Sequence, residues 1–167
     1  NYLYNLTYQI LTLILPLITA SYLARVLGAR GNGIYIYTYT IVNYFVLFGS
    51  LGISMYGQRE IAYVQDNKTK KKKTFIELVL FRFITIGIAS IVYYLSFMRQ
   101  GEYSEYYRIL FFELIAAAFD ISWFFQGMED FKKTVLRNIA VRLISVGLIF
   151  LIVKQASDLN KYLAIYA

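Results

Sequence analysis

Charged residues are absent from Asn1–Ala24 and again from Gly31–Gln58, and each stretch exceeds the about 20 residues that a helix needs to cross the hydrocarbon core of a bilayer. Lipid tails offer no partner to backbone N–H and C=O groups, so such runs must satisfy them internally, as helices. Further along, apolar segments alternate with clusters of charge. The pattern predicts spans at about Leu6–Leu27, Ile34–Tyr56, Phe75–Met98, Ile109–Met128 and Ile139–Val153, with a sixth starting near Tyr162. The fold class is therefore all-α, a polytopic transmembrane helix bundle read as a single domain over residues 1–167. The fifth span is short unless it continues into the Lys154–Asp158 turn. A cleaved signal peptide is rejected for the first segment, because the apolar run is too long, no basic stretch precedes it and several spans follow. No methionine opens the chain and the last span stops soon after it starts, which reads as a fragment of a longer protein.

Composition narrows the chemistry. Hydrophobic residues make up 59% of the chain and aromatics 19%, above what a soluble core requires. Cysteine and histidine are both absent, which removes disulfides, thiolate chemistry, Cys/His metal sites and imidazole catalysis together. No catalytic or metal-ligating set is expected, nor any organic cofactor. The net charge of +7 does not indicate nucleic acid, since the lysines bunch in one short loop instead of lining a face with stacking aromatics.

Topology accounts for that loop. Arg59, Lys68 and Lys70–Lys73, together with Lys132, Lys133 and Arg137, put nine cations on one side. Arg25, Arg30, Arg99, Arg108, Lys154 and Lys161 put six on the other. The richer side faces the cytoplasm, so the amino terminus is cytoplasmic. Lys70–Lys73 reads as a topology anchor against anionic headgroups in preference to a specific ligand site. Tyr22, Tyr35, Tyr93, Tyr94, Tyr103, Tyr106 and Tyr107 fall near the outer side, as an interfacial belt or, as the second choice, as sugar-stacking rings.

Ionisable residues inside spans carry more information, because each costs about 2.5–3.5 kcal/mol at a helix centre and must face protein or water. Glu77 and Arg142 lie near cytoplasmic ends, where long side chains can snorkel. Arg82 and Asp120 lie about 10 and 12 Å from the cytoplasmic ends of the third and fourth spans. Equal depth on adjacent antiparallel helices lets them pair. Glu113 and Asp120, one heptad apart, share a face with Ala116, Ala117 and Phe124. A structural ion pair and a place in a substrate or proton pathway are both open. Pro16 predicts a kink in the first span, either a hinge or a static bend. Gly49, Gly52 and Ser54 in the second span and Gly87 and Ser90 in the third suit close helix contact.

Asn1-Tyr2-Leu3-Tyr4-Asn5, Tyr8-Gln9-Ile10, Leu15-Pro16-Leu17-Ile18-Thr19 and Tyr22-Leu23-Ala24-Arg25-Val26-Leu27-Gly28 open the chain. They are followed by Gly31-Asn32-Gly33-Ile34-Tyr35, Gly57-Gln58-Arg59-Glu60-Ile61-Ala62 and Phe119-Asp120-Ile121-Ser122-Trp123-Phe124-Phe125-Gln126-Gly127-Met128-Glu129. This ordered set resembles bacterial polysaccharide and O-antigen flippases, the polysaccharide-transporter branch of the multidrug, oligosaccharidyl-lipid and polysaccharide exporters. Gln126 departs from the more usual aromatic or apolar residue. The resemblance implies most of the N-terminal six-helix lobe of a two-lobe exporter, with the C-terminal lobe missing from this chain. It implies a flippase that moves undecaprenyl-pyrophosphate-linked oligosaccharide repeat units across the bacterial cytoplasmic membrane by alternating access, for surface polysaccharide biosynthesis. An H+ or Na+ gradient is the implied coupling, and membrane lipids, a polysaccharide polymerase and chain-length machinery are the implied partners. Arg25, Arg59 and Asp120 stand at landmark positions of the family pattern.

A pyrophosphate and polar sugars need cations and a wet path. Arg25, Arg82 and Arg142 are the available cations, with Glu113 and Asp120 as cavity acids. A cation-coupled multidrug antiporter of the same superfamily is the alternative, and there the two acids would form the ion site. A membrane-embedded polymerase or glycosyltransferase ranks third, since the Arg99–Arg108 loop is too short to hold acid–base machinery.

Overall fold

Helix-forming residues outnumber breakers along the chain, and the few breakers decide where the helices stop. The computed structural model describes residues 14, 16–99, 101–129 and 131–167, without the side chains of residues 131–134. Helix α1 covers residues 16–26. It is followed by α2 (Gly28–Ser50), α3 (Ile53–Val64), α4 (Lys68–Tyr93) with a π-helical end at Tyr94–Met98, α5 (Ser104–Phe119), α6 (Ser122–Gly127), α7 (Phe131–Ile152), a 3-10 turn at Ala156–Asp158 and α8 (Leu159–Tyr166). No strand occurs among the described residues. Four helical stretches are long and apolar enough to cross a membrane: Gly28–Val64, Lys68–Met98, Ser104–Gly127 and Val135–Ile152. The protein is an all-α, multi-pass membrane bundle.

Local chemistry explains where these helices depart from the hydropathy reading. Residues 28–33, expected as a loop, open α2, and the break between the helices is confined to Leu27 and to Gly28 at φ +69. The lysine run, also expected as a loop, forms the first turns of α4. Asn67 caps that helix by accepting from the Lys70 amide at 3.0 Å, lysine is a good helix former, and Lys73 pairs with the exposed Glu77 at 3.8 Å one turn on. The second expected span, Ile34–Tyr56, is broken by Leu51 (φ 43) and Gly52 (φ 70). Gly52 thus supplies a left-handed turn instead of a packing contact. The fourth, Ile109–Met128, is broken at Asp120, whose ψ of 109 is extended. Helix α7 reaches back to Phe131 and ends at Ile152, so it gains length before Ile139 and does not run into the Lys154–Asp158 turn. The kink expected at Pro16 depends on the preceding turn, which lies outside the described residues.

The chain packs as two units. One holds the described part of residues 1–37 together with Arg137–Tyr166, and the other holds Thr38–Leu136 with Ala167. In the first, Tyr22 packs on Phe150 with ring centroids 4.5 Å apart and donates its hydroxyl to the Val153 carbonyl at 2.7 Å. Tyr35 meets Tyr162 and Tyr166 edge to face. Asp158 closes the turn before α8 by accepting from the Lys154 and Gln155 amides at 3.0 and 3.1 Å and from Lys161 Nζ at 2.7 Å.

In the second unit, α2–α3, α4 and α5–α6 form three helical lines. Gly49 sits where an added Cβ would lie 3.1 Å from the Ala89 Cβ, so the absent side chain lets α2 approach α4 closely. Gly87, expected at such a contact, faces open space. Tyr93 and Tyr107, expected in the interfacial belt, are instead core residues: both are buried, and the Tyr93 hydroxyl donates to the Tyr107 carbonyl at 2.9 Å. A phenol hydroxyl that finds an acceptor inside the bundle no longer needs the interface.

Candidate functional site

Arg82 occupies the middle of α4, where it is only 3% exposed. A buried guanidinium in an apolar helix persists only when its donors are occupied, and here three elements supply acceptors. Nε donates to the Ala117 carbonyl in the last turn of α5 at 2.7 Å. Nη1 donates to Ser54 Oγ in the first turn of α3 at 3.3 Å. Nη2 lies 3.7 Å from Asp120 Oδ2 in the α5–α6 break. The ion pair expected from equal depth is present.

The reason Asp120 reaches Arg82 differs from the one read in the sequence. Asp120 does not share a helical face with Glu113 and Phe124, because the helix stops at Phe119. Its carboxylate accepts from the Ser122 amide at 3.1 Å and from the Ser122 hydroxyl, an Asx turn that trades helix continuity for side-chain hydrogen bonds and starts α6. The Asp-x-Ser spacing was the available signal. Ser54, Ser122 and the Ala117 carbonyl are the members of the site that the sequence reading missed. A main-chain acceptor cannot be seen in side-chain patterns, and Leu51-Gly52 inside a span is the cue that α3 starts afresh at Ile53.

Just below this cluster, α3 and α6 press together without side chains between them. A Cβ at Gly57 would fall 2.6 Å from the Trp123 ring, and one at Gly127 would fall 2.6 Å from the Gln58 carbonyl oxygen. Trp123 stacks on Phe75 at 5.7 Å and joins Ile61 and Leu78 in a buried core.

The remaining candidates lie on α1, α5 and α7. Glu113 lies one turn before Ala117 on α5, partly exposed, with no hydrogen bond or ion pair among the described residues. Arg25 on α1 and Arg142 on α7 belong to the first unit, and both are exposed. Arg142 is not near a helix end. Helix α7 runs from Phe131 to Ile152, which puts Arg142 about 16 Å from one end and about 15 Å from the other at a rise of about 1.5 Å per residue. Asn138 and Ser145, one turn to either side, share its face, giving α7 a polar stripe inside its apolar window. Pro16 is helical and exposed. Among the described residues no group of three or more Asp or Glu side chains forms a metal site.

A family model described as "Polysaccharide biosynthesis protein" matches residues 1–167, the whole chain. The chain belongs to that family. A relative from Escherichia coli (strain K12), named "Putative O-antigen transporter", is 28% identical over 162 residues, which is 95% of this chain and 39% of the relative. The chain thus spans about two fifths of the length of that curated relative. No solved structure matches it.

Proposed function

We propose that this chain is part of a flippase that carries undecaprenyl-pyrophosphate-linked oligosaccharide repeat units across the bacterial cytoplasmic membrane by alternating access. Family membership over the whole chain supports polysaccharide handling, and the relative's name supports transport over catalysis. The observation that carries the proposal is Arg142. An exposed guanidinium at mid-helix in an apolar span costs several kcal/mol against lipid, so its face must meet water, protein or an anion. A pyrophosphate supplies the anion, and Asn138 and Ser145 supply hydrogen-bonding groups beside it. Arg25 is another exposed candidate. Arg82 has its donors committed to the protein and acts through helix positions.

The amino terminus is cytoplasmic in this reading, from the excess of Lys and Arg in the segments that follow the second and fourth expected spans. A polymerase and chain-length machinery are the partners, and a C-terminal lobe completes the cavity. Glu113 favours a coupled mechanism, because a carboxyl within a span that has no partner among the described residues is suited to carry H+ or to bind Na+. The same residue would serve the antiporter alternative.

The test is complementation of a null strain with the full-length protein. Arg142→Ala should reduce surface glycan and leave lipid-linked repeat units on the cytoplasmic leaflet. Arg142→Lys should recover only part of the loss, since a point charge lacks the fork that matches phosphate oxygens. Normal surface glycan in Arg142→Ala would remove the observation on which the proposal stands.

A further inference from the structure

Two of the three helical lines of the second unit break at one level, and the third supplies the side chain that ties the breaks together. Below that level Ile61, Leu78 and Trp123 form a core between α3, α6 and the start of α4, with Phe75 stacked on the indole. Above it Tyr93 is surrounded by Phe45, Phe97 and Tyr107, with ring centroids 5.2, 5.9 and 6.0 Å away. The layer between is polar: Ser54, Arg82, the Ala117 carbonyl, Asp120 and Ser122. The α2–α3 line is broken there by Leu51 and Gly52, and the α5–α6 line by Asp120 and Ile121. Only α4 passes through unbroken.

We propose that this polar layer is a hinge, about which α3 and α6 rock as one body against α5 and the later turns of α2, the first turns of α4 following by curvature of that unbroken helix, with Arg82 as the latch. Three observations support it. Each half has its own close-packed core, and the contacts at Gly57 and Gly127 hold α3 and α6 as a single piece, since packed cores transmit strain instead of deforming. The helical ladder is interrupted on two of the three lines, at Leu51-Gly52, both in left-handed backbone, and at Asp120-Ile121, where the backbone turns extended. Movement in a polar layer exchanges hydrogen bonds without opening apolar voids, and a guanidinium with five N–H donors can change acceptors while it stays paired. The inference rests on the geometry of this unit and not on the cargo. Distances between labels test it, whereas the glycan assay tests the transport reading.

The experiment places spin labels on the full-length protein in lipid nanodiscs. Labels at Tyr63 and Phe112, exposed on α3 and α5, report across the layer. Labels at Tyr63 and Ile76 report within the lower half, and labels at Phe48 and Phe112 report within the upper half. Arg82→Gln should give the cross-layer pair a second distance population and leave the other two pairs with single, unshifted distributions. Ser54→Ala and Asp120→Asn each remove one acceptor while keeping the Ala117 bond, and should give smaller shifts in the same pair; they carry the test if Arg82→Gln does not assemble. An unchanged cross-layer distance in all three variants would overturn the hinge. So would equal broadening of all three pairs, which would mean general loosening.

Discussion

Gly57 gives the most direct check on the packing that makes α3 and α6 one body. Alanine there would put its Cβ 2.6 Å from Trp123 Cε3, closer than carbon atoms approach one another. The indole cannot swing aside, since it is 1% exposed and stacked between Phe75 and the helix backbones. Overpacking of this kind costs about 1–3 kcal/mol, partly offset by alanine's higher helix propensity, worth about 1 kcal/mol over glycine. Gly87→Ala is the matched control. It lies in α4 with nothing within 4 Å of the added Cβ, so it gains the propensity without the clash. The two variants should therefore differ by about the clash itself, 1–3 kcal/mol. Thermal melting of the full-length protein in detergent, followed by size-exclusion fluorescence, reads this as a lower midpoint for Gly57→Ala, at roughly 2–4 °C per kcal/mol. Equal midpoints for Gly57→Ala and Gly87→Ala would refute the close α3–α6 contact.

A double-mutant cycle on Arg82 and Asp120 should show coupling of about 0.5–3 kcal/mol, and the swap Arg82→Asp with Asp120→Arg should recover only part of the loss, because Ser54 and the Ala117 carbonyl lose their donor. Additive effects would retire the pair. Cysteines at Asn67 and Glu102, both exposed, should label only from the cytoplasm and only from outside respectively; reversed labelling would invert the topology. Asp158 is held below the usual carboxylate range, first by the Lys161 ammonium and then by the Lys154 amide. A carboxyl depressed in the folded state stabilises above its unfolded pKa and loses that contribution as pH falls through the folded value. Asp158→Asn should flatten the acid end of a melting-temperature profile below about pH 4, and an unchanged acid slope would discount the Lys161 contact.

How far the chain could be read depended on which atoms carried the signal. Apolar runs show directly where helices lie, because lipid exposure imposes a long uniform pattern, and the pairing of Arg82 with Asp120 followed from counting residues. The breaks were harder. Leu51-Gly52 and Asp120-Ile121 lie inside stretches apolar enough to hide them, and Asp120 read as one more helical position until its hydrogen bonds to Ser122 explained the stop. Charge hid the start of α7 for a related reason: Lys132, Lys133 and Arg137 read as a loop, whereas Phe131–Ile152 is helix throughout. Tyr93 and Tyr107 show the limit for aromatics, since the same residue type serves the interface and the core, and only the Tyr107 carbonyl decides between them.

Reconstitution would show whether the protein moves a lipid-linked glycan between leaflets. Full-length protein in sealed vesicles would be given undecaprenyl-pyrophosphate-linked repeat units, with the leaflet of each headgroup read by a membrane-impermeant reagent that modifies the sugar. Transfer should depend on the protein and be slowed by Arg142→Ala. Folded protein that leaves the glycan in its original leaflet, while exchanging cationic drugs for H+ or Na+, would contradict the account and establish the antiporter in its place.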